Sequence, residues 1–266
     1  MACGGQSPDS AIGVLFPVAV SYSQRGMKNG LLLEISVQSA EAGLAAERGG
    51  ADRIELCENL DVGGVTPSGA LMRAVRKQVR LPIFVMIRPR GGNFAYSNDE
   101  FVEMKRAIGI AKESGMDGVV LGVLKEDSGV DVGRTRELVE IARPLPVTYH
   151  RAFDECADLR RGLEDVIQTG AARILTSGGA AGALEGALLL AELVAAAGDR
   201  IIIVPGAGIN DSNILQVVQH TGAREFHSGL STVLPYSSCD YKTFEAEVKK
   251  LARHLRAAAE IIRLKS

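Results

Sequence analysis

Tryptophan is absent from this chain of 266 residues, but other scarcities are more telling. Neither sign of charge dominates: 30 Lys and Arg stand against 32 Asp and Glu, a net charge of -2. That removes the electrostatic case for nucleic acid or an anionic membrane surface as a partner. Cysteine is sparse. Cys3, Cys57, Cys156 and Cys239 form no CxxC pair and have no zinc-ligand spacing, so they read as reduced thiols of a cytoplasmic protein. The apolar patch at residues 11–20 is too short to span a bilayer and contains Pro17. No Lys or Arg precedes it, which argues against a secretory signal. Residues 1–30 are rich in Gly and Ser and are expected to form a disordered tail, with an organelle-targeting leader as the alternative. No G-x-G-x-x-G follows the first strand-like run, which argues against a doubly wound dinucleotide fold.

What is present, at 46% hydrophobic and 23% charged residues, is a soluble globular composition organised by one stretch, LPIFVMIRPRGG at residues 81–92. Its apolar run reads as a strand buried on both faces. It then delivers Arg88 and Arg90 into the Gly91-Gly92 turn. The same strand-then-helix unit recurs from Gly30 onward. Strands are expected at 31–37, 52–58, 81–92, 118–124, 146–153, 173–177, 200–204 and 225–230. Between them run helical stretches with Ser39, Ser97 or Asp211/Ser212 as caps and Gly or Pro as stops. Pro67 marks the expected start of the second helix and Leu184 that of the sixth. Eight such units over residues 31–266 predict a single-domain (β/α)8 TIM barrel.

Side chains alternate along a strand, and polar residues do not face an apolar helix layer. Glu34 and Ser36, Glu55 and Cys57, Met86 and Arg88, Thr148 and His150, and Glu225 and His227 therefore point into the barrel. Most sit toward the C-terminal strand ends, where barrel sites form. Burying this many ionisable groups without a use is costly, although a single Glu55–Arg88 pair could satisfy itself. Glu34, Glu55, Arg88, His150 and His227 are thus candidates for proton transfer or substrate binding on a small anionic substrate, a carboxylate or a phosphate. Arg88 would clamp the anion. The glycine-rich turns after strands six and seven could help through Ser177, Gly178, Gly206 and Gly208. Cys57, with Met86, His150 or Cys156 nearby, offers soft donors for copper(I).

The segments GGADRIELCENLDVGGVTPS, PIFVMIRPRGGNFAYS, PVTYHRAFD, RILTSGG, ALEG, VPGAGI and EFHSG together resemble the CutC copper homeostasis family, from about Leu33 to Gly229. The resemblance implies a TIM barrel and a cytoplasmic homo-oligomer, a dimer or tetramer. It also implies intracellular copper handling with Cu(I) bound by cysteine. Some animal members carry a cysteine in the first strand where this chain has Ser36; the cysteine of the second strand is kept as Cys57. After EFHSG the sequence departs from the family pattern, with STVLPYSS leading to the final helix.

Overall fold

The computed structural model describes residues 30–235 and 237–265. The expected tail at 1–30 therefore falls, except for Gly30, outside the described residues. Eight parallel strands form the sheet: β1 Leu32–Val37, β2 Arg53–Leu56, β3 Ile83–Met86, β4 Gly118–Leu121, β5 Val147–Tyr149, β6 Arg173–Thr176, β7 Ile202–Pro205 and β8 Glu225–Ser228. Hydrogen-bonded neighbours run in the order β7-β6-β5-β4-β3-β2-β1-β8, and β8 packs beside β7. The barrel is nearly closed, with one seam that carries no ladder among the described residues.

Between the strands run α1 Ala40–Gly49, α2 Gly69–Gln78, α3 Asn98–Glu113, α4 Val132–Ala142, α5 Leu159–Thr169, α6 Ala187–Ala197 and α7 Ile214–Thr221, and α8 Tyr241–Lys265 closes the chain. Local chemistry sets their ends. Ser39, Ser68, Asp131 and Asp158 accept the first free amides of α1, α2, α4 and α5. Ser97 and Glu100 form a reciprocal capping box on α3. Glycines in the left-handed region, Gly50, Gly170 and Gly222, stop α1, α5 and α7. α2 starts just after Pro67, and α6 starts at Ala187 rather than Leu184.

β3 is shorter than the apolar run suggests. The Ile87 amide still donates to Val120 of β4 at 2.7 Å, and from Arg88 the chain pairs instead with the loop following β2. The Arg88 amide donates to Thr66 Oγ1 at 2.8 Å, and the Thr66 amide donates back to the Arg88 carbonyl at 2.9 Å. Short 3-10 turns at Leu60–Val62 and Arg151–Glu155 follow β2 and β5, and their residues carry no periodic signal. The strand faces divide two cores. Ile35, Ile54, Val85, Val119, Tyr149 and Phe226 pack outward against the helices in one continuous apolar shell. A small separate cluster of Cys57, Leu60, Phe84, Met86 and Val120 lies inside.

Candidate functional site

The barrel interior has two storeys. The lower one contains four charged side chains from the early parts of β1, β2, β6 and β8. Arg53 bonds Glu34 through Nε and Glu225 through Nη2, the latter at 2.8 Å. Arg173 Nε reaches the same Glu225 oxygen at 2.8 Å. Phe84 stacks under both guanidiniums, at 4.8 Å from Arg53 and 5.4 Å from Arg173. Burial alone would raise the pKa of Glu34 and Glu225. The arginines outweigh it, with His227 helping at Glu34, and hold Glu34 well below the usual carboxylate range and Glu225 below it. Burial likewise favours a neutral Arg53, yet the two carboxylates hold it more firmly protonated than a free arginine. Glu34 and Glu225, expected as inward groups, therefore belong to a self-neutralising floor.

The upper storey begins where His227 bridges the two levels. Its Nδ1 lies 2.8 Å from Glu34 Oε1, and its Nε2 faces Glu55 Oε2 at 3.8 Å. Burial disfavours the imidazolium, but the charge of Glu55 and the bond to Glu34 win and raise the His227 pKa. Glu55 moves up, because burial and the Glu34 charge outweigh the pull of His227. Cys57 donates its thiol hydrogen to Glu55 Oε2 at 3.6 Å. Burial pushes that thiol well above its ordinary range, and the Glu55 carboxylate adds to the effect. Glu34, Glu55 and His227 place one donor atom each within 4.8 Å of one another. Met86 packs with Cys57 in the inner apolar cluster. The second-strand parity that selected Glu55 and Cys57 also covers Arg53, and the sixth-strand parity covers Arg173. The floor arginines were legible in that alternation but were not read from it.

Arg88 is buried at 5% exposure, yet it does not pair with Glu55. Its Nη1 donates to the carbonyls of Val62 at 2.9 Å and Gly64 at 3.0 Å, and its Nη2 to that of Gly92 at 2.8 Å. Its guanidinium lies 4.8 Å from the Phe94 ring, and that ring meets His150 at 4.9 Å. His150 Nδ1 accepts the Ala152 amide at 3.1 Å, so the neutral ring carries its hydrogen on Nε2. Burial, and then the Arg88 charge, pushes the His150 pKa down to about 3. Phe94, which positions both groups, sits in the loop after β3 and has no strand parity to announce it.

The turn after β6 is already filled. Asp154 Oδ1 accepts the amides of Ser177 at 3.0 Å and Gly179 at 3.1 Å as well as the Thr176 hydroxyl, and Oδ2 accepts the Ser177 hydroxyl at 3.1 Å. The Gly178 amide goes to Thr176 Oγ1 at 2.9 Å, and the Gly206 amide to the Thr176 carbonyl at 2.9 Å. These donors expected for an outside anion thus hold a carboxylate of the chain itself or the backbone. Gly208, with φ of 67°, presents its carbonyl to Asn210 and Asn213. Cys156 stands apart from Cys57. It packs near Gly162 and Phe153 on the helix side, and its charged neighbours are Asp154, Asp165 and Glu155. A cavity of about 270 Å³ opens at the rim, lined by Ser36, Gln38, Leu60, Cys239, Tyr241 and Phe244 among others. Leu60 lines this cavity and also packs on Cys57.

Residues 31–232 match the model of the CutC family. The chain belongs to the CutC family. It is 48% identical over 208 residues to the human copper homeostasis protein cutC homolog, covering 78% of this chain and 76% of the human one. It is 45% identical over 211 residues to the family protein CutC of Xylella fastidiosa, covering 79% of each. The crystal structure of the CutC protein of Streptococcus agalactiae superposes with a TM-score of 0.70 at 30% identity, covering 74% of this chain and 98% of that one. The thiamine phosphate pyrophosphorylase of Pyrococcus furiosus, at 18% identity, a TM-score of 0.58 and 86% and 98% coverage, shares the barrel fold alone. No helix among the described residues is long and apolar enough to cross a membrane.

Proposed function

We propose that this CutC protein takes part in copper homeostasis by binding Cu(I) inside its barrel, with Cys57 as the anchoring ligand. One observation carries the reading: a buried free thiol stands beside Met86, with Glu55 accepting its hydrogen and His227 beyond. Thiolate, thioether and imidazole are donors that suit Cu(I). Ser36 contributes a hydroxyl in the first strand, so the site has one thiolate rather than two and binds more weakly than a two-thiolate site.

The resting thiol is protonated, because burial and then Glu55 raise its pKa. Copper therefore displaces a proton on binding, which Glu55, the acceptor next to it, passes on to solvent. Apparent Cu(I) affinity rises with pH below the thiol pKa, by about tenfold per pH unit for one proton released. The family resemblance also supports a cytoplasmic homo-oligomer, a dimer or tetramer, which sizing by light scattering tests. The copper reading is tested by titrating reduced protein with Cu(I) against a competing chelator at several pH values. About one equivalent bound by the wild type and lost in Cys57→Ser supports it. Equal binding by the two proteins overturns it.

A further inference from the structure

The upper storey contains a second set of groups that the copper reading does not use. Among the described residues, Arg88 makes no ion pair with a carboxylate. Its carbonyl partners satisfy hydrogen bonds without cancelling its charge, and a buried charge left in that state is costly. Its Nε is buried with no hydrogen-bond partner. The same holds for His150 Nε2, on a residue 3% exposed. The Tyr96 hydroxyl, buried beside Arg88, also lacks a hydrogen-bond partner, and burial pushes its pKa up to about 12 although Arg88 pulls it down. Tyr96 and neutral His150 therefore keep their hydrogens. Arg88 and His150 follow the ends of β3 and β5, and Phe94 ties the two together.

All these atoms can donate a hydrogen bond. Donors gathered around an uncompensated guanidinium are complementary to one kind of ligand group. We propose that the barrel mouth between the ends of β3 and β5 is a binding site for the oxyanion group of a small molecule, a carboxylate or a phosphate, held by Arg88 and His150, with Tyr96 beside Arg88. The turn after β6 is excluded from this role because Asp154 already occupies it. That turn also shows what the fold does with converging donors when the chain supplies its own anion. Between β3 and β5 no carboxylate of the described chain plays that part.

Arg88 also ties the loops after β2 and β3 together, so replacing it confuses folding with binding. Tyr96→Phe and His150→Phe leave Arg88 and the loops it ties in place. Calorimetric titration of the full chain with inorganic phosphate and, separately, malonate is expected to give saturable binding of one anion per chain for at least one of them. Each variant should weaken that binding by about tenfold, the value of a lost donor to a charged group. Binding of phosphate alone or malonate alone identifies the group. Absence of saturation by either below about 10 mM overturns the site. So does binding that both variants leave unchanged, because it is then an adventitious ion only. Tyr96→Phe does not touch Cys57, so Cu(I) titration of that variant stays at the wild-type level whichever way the anion result falls.

Discussion

The floor and the mouth of this barrel are built from the same residue types and solve opposite problems. On the floor, Glu34, Glu225, Arg53 and Arg173 neutralise one another, and Phe84 fills the gap between the guanidiniums. Among the described floor residues Glu225 Oε1 lacks a partner, but its sister oxygen takes two arginine bonds, and the uncharged Thr148 hydroxyl beside Arg173 also stands alone. At the mouth, Glu55, Arg88 and His150 each leave a buried polar atom unpartnered. Native interiors satisfy nearly all such atoms, so each exception calls for a reason. The contrast teaches where structure ends and binding begins. A buried charge is structural when its counter-charge is in the chain, and functional when it must come from outside.

Breaking the floor should have the largest effect. Arg53→Met leaves two buried carboxylates short of a partner and is expected to cost about 3–5 kcal/mol, read from urea unfolding. A loss below about 1 kcal/mol would mean that the floor charges do not depend on one another. A smaller effect follows at the filled turn. Asp154→Ala strips the Ser177 and Gly179 amides and the Thr176 hydroxyl of their acceptor, while the Ser177 hydroxyl keeps the Ala180 carbonyl, for an expected loss of about 2 kcal/mol. Added acetate should restore part of it by entering the vacated turn, and a melting temperature insensitive to acetate would contradict the comparison.

pH sharpens the same contrast. Glu34 and Glu225 are held below the ordinary carboxylate value of 4.5, so the stability they bring is present above that value and lost as pH falls through their folded values. His227 is raised above 6.5, so its contribution is present below 6.5 and lost as pH rises through its folded value. Unfolding free energy measured across pH should therefore decline on both sides. His227→Gln should remove the decline that begins at 6.5 and leave the acid limb in place; an unchanged alkaline limb would show that the imidazole does not join the two storeys. The smallest effect belongs to Thr148→Val, which removes a buried hydroxyl with no partner among the described residues. In the absence of ligand it should be neutral or stabilising by up to about 1 kcal/mol, whereas a clear destabilisation would mean that the hydroxyl has a structural bond.

Much of this was readable in the amino-acid order. The repeated strand-helix unit and its caps gave the barrel, and strand alternation put Glu34, Glu55, Cys57, Thr148, His150 and His227 inside it. What alternation could not tell was which neighbour each inward group would meet. Glu55 and Arg88 share an interior but not a contact, because barrel stagger sends Glu55 toward Cys57 and His227, while Arg88 turns to the carbonyls of two loops. Loop residues such as Phe94 and Asp154 obey no period. Their roles depend on where Gly92 and the 3-10 turn at Arg151–Glu155 aim the chain. Cys156 follows the same limit: nearness to a strand end in sequence did not bring it to the inner face.

The central claim is that the mouth is a place where ligands from outside complete the chain's own groups, with Cys57 as the copper anchor. X-ray absorption at the copper edge, on reduced protein loaded with one equivalent of Cu(I), tests it most directly. The account predicts sulfur scatterers next to the metal, lost in Cys57→Ser. A shell of oxygen and nitrogen alone, or a spectrum that the substitution leaves unchanged, would contradict it.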